Sequence, residues 1–466
     1  MTPVRQLSAS APVLALNTEA APVRLSAGTE WATPFGPRSV SAQPAMALAA
    51  PAQSGVQARS AQIAPTEVVG AQAVFDQALV DNARRTLALG STRQFSPGET
   101  APSELGAQVA LLNLGYEIAG DGIWGRRSQA ALDAFRRQRG LPTGGGPNRA
   151  DGAALFAAYQ QSVAQTETVR IEQRAASTLQ MGSAGPLTED GIRGPATRRA
   201  VDRALSRAPS GLGLQLALSA LGYSLAIDGA VGPETRGQLA RFREDYGVSA
   251  QGAPSAADAR ALFAALQEQY REDAARDLEV HHNFFGRDGA VALGVRLSTL
   301  RQIDAQFREA NGRSEGGAFS RHYTVDQLFG TGANSRPSLE QLGRFGVHTE
   351  LLRLLDRSTD IYREVRNDPN ASLHRRGGKE ILSIDRGYPS NRHMHGWAVD
   401  IGDHGGMSLS DRQELVEVFL RAGSTSIGVY TWGVHADVDP RRLYTRWVGS
   451  GSSRALAPLD RYWPRR

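Results

Sequence analysis

An internal repeat constrains the fold of this chain more than any other feature of its sequence. Residues 108–141 read QVALLNLGYEIAGDGIWGRRSQAALDAFRRQRGL, and residues 215–248 read QLALSALGYSLAIDGAVGPETRGQLARFREDYGV. In both copies a helical pattern ends at Leu-Gly-Tyr, an Asp-Gly pair follows, and a second helical pattern leads to a Phe and then a Gly. A third, partial copy, EDGIRGPATRRAVDRAL, lies between them at 189–205. Such self-similarity indicates that copies of one small helical unit follow each other along the chain.

Each copy of the repeat predicts a small three-helix bundle. Leucines at helical spacing supply an apolar face for the first helix. Gly115 and Gly222 allow that helix to end in a left-handed conformation, and the Asp-Gly pair favours a tight turn. Ser128, Thr197 and Thr235 are predicted to cap or begin the following helix.

The repeat has the pattern LGY…DGxxGxxT…AVxxF…GL, which resembles the peptidoglycan-binding domain type 1 family. Two copies match along most of the family's length, and the partial copy matches its second half. The resemblance implies three-helix modules that hold enzymes on the bacterial cell wall. The first copy departs from the pattern, because Arg127-Ser128 stands where the others have Pro-Ala-Thr or Pro-Glu-Thr. From the residues alone, plain helical spacers explain the repeat equally well, since small helical bundles serve many roles.

Changes in composition and in the periodicity of apolar residues divide the chain into six segments and predict a multidomain protein. Residues up to about 72 are rich in Ala, Pro, Ser and Gln, which is typical of a disordered or extended arm. From about 321 the pattern changes to α+β. The predicted segments are the arm (1–72), a first helical module (73–160), the partial repeat with a connector (161–210), a second helical module (211–270), a helical linker (271–320) and a C-terminal α+β domain (321–466).

The composition excludes several classes of function. The chain has no Cys, which excludes disulfides, thiolate zinc sites and a cysteine nucleophile. The net charge is +5, and basic residues alternate with acidic ones without forming a block, so nucleic-acid binding has no support. No run approaches the roughly 18 apolar residues of a membrane span, and the N-terminus is not a convincing secretory signal.

Histidine is scarce, at 9 in 466 residues, yet three histidines stand beside aspartates in two C-terminal segments. The segments are SNRHMHGWAVDIGD, 390–403, and GVHADVDP, 433–440. In the first, Gly396 lets the backbone fold back, so that His393 and Asp400 can converge. In the second, the two-residue period of a strand places His435 and Asp437 on one face.

Two imidazoles and one carboxylate are a common ligand set for catalytic zinc, with a fourth position left for water. Zinc lowers the pKa of that water to about 7 and polarises a carbonyl group. The joint spacing of the histidines and aspartates therefore predicts a Zn²⁺ site, although the same nitrogen and oxygen ligands also accept other first-row ions.

These motifs resemble the M15 peptidase family of bacterial cell-wall D,D- and L,D-peptidases, and most closely its DUF882-like branch. The family pattern HxxGxAxD is matched from His393 to Asp400, and the later HxD is matched by His435 and Asp437. The resemblance covers roughly residues 321–449 and implies a small antiparallel sheet flanked by helices. It also implies that His393, Asp400 and His435 are the zinc ligands. His395 is the alternative to His393.

Two departures from the family leave roles open. Many relatives carry a Glu or Asp general base three residues before the last histidine, where this chain has Trp432. Asp437 is predicted to replace it, and it equally suits a partner that orients a ligand histidine. Relatives also use an arginine to hold a substrate carboxylate; here Arg386 is the candidate and Arg392 a weaker one.

The two resemblances come from separate segments and point to the same polymer. They predict a zinc peptidase that cuts stem peptides or cross-links of peptidoglycan, with Asp437 and Arg386 assisting catalysis. Linking wall-binding modules to a catalytic domain raises the local substrate concentration. The alternative is a non-catalytic wall-binding component with a degenerate peptidase domain. Either version predicts a location at the cell envelope or outside the cell, with a phage tail or injection device as a further setting reached through the N-terminal arm.

Overall fold

Helical periodicity dominates the part of the chain that the structure describes, and most of that part is α-helical. The computed structural model describes residues 68–184, 187–280, 297–329, 348–373, 380–383, 397–403, 405–439, 445–449 and 453–462. All of them belong to one compact unit, Ala58–Arg466. The coarse prediction of helices with a small C-terminal sheet is confirmed, whereas the division into separate domains is not.

Helices make up the regular structure described up to residue 280. They are α1 (Val68–Leu87), α2 (Glu104–Asn113), α3 (Arg126–Arg139), α4 (Arg149–Gln180), α5 (Pro195–Ser206), α6 (Gly211–Ala220), α7 (Pro233–Asp245) and α8 (Ala256–Asp277). The two long helices α4 and α8 both begin with a capping box, in which the cap side chain and an aspartate three residues later bond each other's backbone. None of the described helices combines the length and apolar character needed to cross a lipid bilayer.

A buried glutamine holds the Asp-Gly turn of the first repeat. The Nε2 of Gln108 donates to Oδ1 of Asp121 at 3.1 Å, and to the carbonyl of Ile123 and the hydroxyl of Ser128 at 2.9 Å each. In return, the backbone N–H of Gly122 donates to Oε1 of Gln108 at 2.7 Å. The amide is therefore satisfied by the turn and by the start of the next helix, as burial requires.

The same network recurs in the other two copies. Gln215 bonds the aspartate, the glycine N–H and the threonine hydroxyl of the second full copy. Gln173 does so for the partial copy at 189–205. Because Gln173 lies in the second half of α4, the partial copy has a first helix after all. The sequence pattern missed that helix because α4 lacks the Leu-Gly-Tyr ending.

The sequence predicts that Ser128, Thr197 and Thr235 cap or begin the second helices; the structure shows that they begin these helices and do not cap them. The N-caps of α3, α5 and α7 are glycines without a side-chain cap. Ser128, Thr197 and Thr235 lie in the first turn of these helices instead, where their hydroxyls accept a hydrogen bond from the buried glutamine. A long-range partner has replaced the local capping interaction.

In each of the two full copies a buried ion pair connects the second helix to the start of the third, and the partial copy lacks the arginine for this pair. Arg136 bonds both oxygens of Asp151, at 2.8 and 2.6 Å, and Arg243 bonds both oxygens of Asp258, at 2.7 and 2.8 Å. At the corresponding position of the partial copy the sequence has Leu205. The repeats thus share their turn chemistry and differ in how the third helix is attached.

The predicted segment boundaries fall differently on the structure. Helix α1 begins at Val68, so residues 68–72 of the predicted arm are helical, and the rest of the arm lies outside the described residues. The boundaries predicted after residues 160 and 270 lie inside α4 and α8. In the predicted linker, residues 281–296 are outside the described part of the chain.

The C-terminal elements are shorter and of mixed type. The helices are α9 (Leu297–Asn311), α10 (Val325–Phe329), α11 (Thr349–Arg366), α12 (Leu409–Ala422) and α13 (Leu459–Tyr462), with a 3-10 helix at Ser453–Leu456. The strands are β1 (Glu380–Ser383), β2 (Ala398–Asp403), β3 (Ser426–Val429), β4 (Gly433–Asp437) and β5 (Thr445–Val448).

These strands form one sheet in the order β1-β2-β4-β3-β5. The first three pairings are antiparallel, but β5 pairs with β3 in parallel. The predicted purely antiparallel sheet is therefore wrong at this edge. Strand β5 adds to β3 and not to its sequence neighbour β4, because both edges of β4 are already occupied.

The two faces of the sheet differ in character. Val399, Ile427, Val434 and Ala436 are fully buried in one apolar cluster together with side chains of α12. Alternation along each strand sends the intervening residues to the opposite face. That opposite face carries Asp400, His435 and Asp437, the described members of the predicted site.

A buried ion network joins α4 to α11. Arg353 of α11 forms a two-bond pair with Glu167 of α4, both at 2.8 Å. Arg170 of α4 pairs with Glu167 and with Glu350, again at 2.8 Å. Burial alone would raise the pKa of Glu167, but the two arginines outweigh it and lower this pKa to about 2.

A polar cavity of about 350 Å³ adjoins this junction. Two ion pairs line it: Arg357 with Glu189 at 3.0 Å, and Arg174 with Asp273 at 2.7 Å. Burial raises the pKa of Glu189 despite Arg357. These charges compensate one another within the cavity, and the candidate site lies elsewhere, on the polar face of the sheet.

Candidate metal centre

Asp400 and His435 are neighbours across two antiparallel strands. The register of β2 and β4 places them directly opposite each other, and both side chains are buried. Directly opposite residues have Cβ atoms about 5 Å apart, so their side chains can meet. Oδ1 of Asp400 lies 2.8 Å from Nδ1 of His435. The sheet thus joins two residues that are 35 positions apart in the sequence.

Asp437 contacts the other nitrogen of the same imidazole. It lies two residues after His435 on the same face of β4, and its Oδ2 is 3.4 Å from Nε2 of His435. Its Oδ1 accepts hydrogen bonds from the hydroxyl of Thr425 at 3.3 Å and from the backbone N–H of Asp439 at 3.2 Å. The side chain of Asp437 is 0 % exposed.

The imidazole of His435 therefore lies between two carboxylates. Burial favours the neutral ring and lowers its pKa, whereas the contacts with Asp400 and Asp437 favour the charged ring. The carboxylates prevail, and the pKa of His435 is raised above its ordinary value. The two carboxylates thus favour the charged form of this buried imidazole.

An indole ring packs against His435 because the neighbouring strand carries a glycine. Gly428 of β3 lies opposite His435 on one side and Trp447 of β5 on the other. A Cβ atom at Gly428 would lie 2.3 Å from Cε2 of Trp447, so the indole occupies the space of the missing side chain. The ring centroids of Trp447 and His435 are 4.9 Å apart.

Aromatic residues also stand where a general base was expected. The ring of Trp432 stacks on Tyr430 at a centroid distance of 4.8 Å and lies close to Gly402. Nε1 of Trp447 donates to the hydroxyl of Tyr430 at 3.1 Å. We call Tyr430, Trp432 and Trp447 the aromatic wall; it borders the His435 side of the candidate centre.

The remaining predicted site residues lie outside the described part of the chain. They are His393, His395, Arg386 and Arg392. Among the residues that the structure describes, no three His, Cys, Asp or Glu side chains are grouped as a metal site. The structure thus brings together Asp400, His435 and Asp437, and it leaves the third ligand and the substrate-binding arginine as predictions.

Comparisons with known proteins identified no relative of this chain. No protein-family model matches the chain. Neither a curated protein nor a solved structure matches it.

Asp400 and His435 fit two positions of a zinc site. A carboxylate oxygen and an imidazole nitrogen are both zinc ligands, and here they are adjacent and buried. The opposite nitrogen of the ring already faces a carboxylate, which is how histidine ligands are usually oriented in metalloproteins. Asp400 and His435 thus supply two of the donors that a divalent ion would need, and the third predicted ligand lies outside the described residues.

Sequence reasoning missed Thr425 and Trp447. Thr425 holds Asp437 across the β3–β4 pair, and Trp447 packs on the ring of His435. Trp447 follows Asp439-Pro440 as in the resembled family, but that pattern does not reveal its contact with His435; Gly428 leaves room for the large ring without identifying it. Thr425 carries no signal of its own, because its contact depends on the strand register.

Proposed function

We propose that this protein is a zinc-dependent peptidase that cleaves stem peptides or cross-links of peptidoglycan. The observation that carries the proposal is the buried contact between Asp400 and His435, with Asp437 on the far nitrogen of the ring. Separate strands bring these residues together, and apolar packing alone does not explain why carboxylates and an imidazole are buried here. A buried histidine whose pKa is raised by neighbouring carboxylates is the kind of group that marks a candidate functional site.

Asp400 and His435 would hold the ion, with His393 as the third ligand implied by the resemblance to M15 peptidases. When bound, the ion supplies Lewis acidity, which activates a water molecule and polarises the amide carbonyl. Arg386 is proposed to hold a substrate carboxylate through a two-bond pair. The aromatic wall shields one side of the imidazole from solvent, which strengthens electrostatic interactions at the site.

The repeats support a wall-binding role for the helical part, with peptidoglycan as the partner. The residue after the Asp-Gly pair is an exposed apolar side chain in two copies, Ile123 at 70 % and Ile192 at 51 %. Single exposed apolar residues are ordinary, but here they recur at one position of a repeat. An array of such turns would present similar contacts to a repeating polymer and raise binding through multivalency. This would locate the protein at the cell envelope or, if phage-encoded, on a virion.

Digestion of purified sacculi and of chemically defined muropeptides tests the proposal. Mass spectrometry should detect newly released peptides with the wild-type protein and none after treatment with a chelator. His435→Ala and Asp400→Asn should release none at equal amounts of folded protein. Arg446→Ala, which removes an exposed arginine paired with Asp460, is the matched control and should act like the wild type.

The second candidate function is a non-catalytic anchor on the cell wall. The observation that favours it is Trp432, which packs in the aromatic wall at the position where many M15 peptidases, the family that the motifs resemble, carry an acidic group. Sedimentation of the protein with sacculi, without peptide release at any zinc concentration, would replace the first proposal by this one. Loss of both release and sedimentation would contradict both.

A further inference from the structure

We propose that Asp437 is a positioning residue, which orients His435 for the metal, and that Thr425 holds Asp437 in place. The inference rests on the proposed function and assigns a role within the same site. It excludes Asp437 as the general base. The contacts of Asp437 and the shape of the imidazole ring carry the argument.

The two nitrogens of an imidazole point in different directions, so one ion cannot bind both. Asp400 contacts Nδ1 and Asp437 contacts Nε2 of the same ring. Only one of these carboxylates can therefore share an ion with His435. The other accepts the remaining ring N–H and fixes both the tautomer and the ring orientation.

The contacts of Asp437 indicate that it is the carboxylate that orients the ring. Oδ1 of Asp437 already accepts two hydrogen bonds, from the Thr425 hydroxyl and the Asp439 N–H, and its Oδ2 faces the ring. The side chain is fully buried between β2 and β3, opposite Ala398 and Ser426. A general base must accept and release protons beside the substrate. The carboxylate of Asp437 is enclosed by hydrogen-bond donors of the protein, so it does not suit that role.

Thr425 is the residue that keeps Asp437 in this orientation. Its hydroxyl lies 3.3 Å from Oδ1 of Asp437 and 3.1 Å from the carbonyl of the same residue. Its backbone N–H donates to that carbonyl at 2.8 Å. Thr425 thus ties both the main chain and the side chain of Asp437 to the start of β3. Removal of its hydroxyl should disturb His435 indirectly, without changing any proposed ligand.

Titration of the metal-free, full-length protein with Co²⁺ tests the assignment, because cobalt absorption reports both affinity and ligand geometry. Wild type should bind one ion. Asp437→Asn should still bind one ion with roughly ten- to hundredfold weaker affinity, as expected for loss of an orienting partner. Thr425→Val should weaken binding in the same direction by a smaller factor, and Thr425→Ser, which keeps the hydroxyl, should restore it. Asp400→Asn should bind far more weakly than any of these.

Peptide release provides the second measurement. In the Asp437→Asn protein, excess zinc should restore most of the release, because only the affinity has changed. Unchanged Co²⁺ affinity in Asp437→Asn, together with release that excess zinc does not restore, would overturn the assignment and make Asp437 the base. If Asp437→Asn does not fold, unchanged Co²⁺ affinity in folded Thr425→Val would overturn it instead. A wild-type protein that takes up no metal would contradict the proposed function itself.

Discussion

At the scale of single residues, small side chains determine where the large ones around the candidate centre can lie. Gly428 has no Cβ, and this allows the indole of Trp447 to lie against the imidazole of His435. Gly402 similarly leaves room for Trp432. Both glycines are in extended strands, where glycine usually weakens the strand, so their presence reflects a close approach by another group.

Gly428→Ala should lower stability by about 1–3 kcal/mol, because the added Cβ overlaps a packed indole ring. Trp447 would have to move away from His435. Thermal and denaturant unfolding measure this change. Gly237→Ala is the matched control, since Gly237 lies exposed in α7 with no atom near the added Cβ. That substitution should leave stability unchanged or raise it by up to about 1 kcal/mol. Equal effects of the two changes would contradict the packing argument.

At the scale of elements, one polar contact recurs in all three copies of the repeat, whereas the apolar pattern of the first helix does not. In all three copies a buried glutamine amide bonds the Asp-Gly turn and the first turn of the next helix. The apolar helix ending is absent from the partial copy, yet Gln173 supplies the same contact from the second half of α4. The 32-residue length of α4 follows, since this helix ends one repeat and begins the next.

Gln173→Ala should lower the free energy of unfolding by about 1–3 kcal/mol. It would leave the turn's buried donors and acceptors without partners. Gln108→Ala and Gln215→Ala should show losses of similar size. The control is Gln72→Ala on the exposed surface of α1, where the side chain bonds only Asp76 and little should change. The prediction fails if urea denaturation shows no greater loss for Gln173→Ala than for Gln72→Ala.

At the scale of the whole molecule, the repeats and the sheet-bearing part meet through buried charges. Glu167 receives two hydrogen bonds from Arg353 and one from Arg170, and it is almost fully buried. Breaking a buried pair by removing one partner is costly, because the remaining charge stays buried. This junction is therefore sensitive to single substitutions and to acid.

Glu167→Gln should destabilise the protein by about 3–5 kcal/mol, because buried Arg353 loses its nearest counter-charge and Arg170 keeps only Glu350. The control is Glu364→Gln, since Glu364 is an exposed partner of Arg421 and contributes little. Denaturant unfolding at neutral pH should separate the two variants clearly. A loss of stability as small as that of Glu364→Gln would contradict the prediction that this buried network depends on the charge of Glu167.

The wild-type protein should also lose stability in acid through Glu167. Its pKa in the folded protein is about 2, below the ordinary value of 4.5, so its contribution is complete above pH 4.5 and is lost as the pH falls towards 2. Stability measured across this range should fall more steeply for wild type than for Glu167→Gln. Parallel curves for the two proteins would contradict the prediction.

Much of the candidate site could be read from the sequence, because spacing along a strand determines which side chains share a face. The two-residue period places His435 and Asp437 together, and the pattern of the preceding segment singles out Asp400. The partners Thr425 and Trp447 could not be found this way, because they come from β3 and β5. The parallel pairing of β5 was also missed, since pairing between strands that are not sequence neighbours leaves no local pattern.

Periodicity and residue type, which are local properties, were enough to predict the helical repeats, to find the scarce histidines beside aspartates and to exclude thiol chemistry. Three-dimensional packing was needed to show that α4 serves two repeats, that Asp400 lies on Nδ1 and Asp437 on Nε2 of one imidazole, and that buried ion pairs join α4 to α11. These features depend on strand register and helix packing. Both bring together residues that are far apart in the chain, and no short stretch of sequence encodes such contacts.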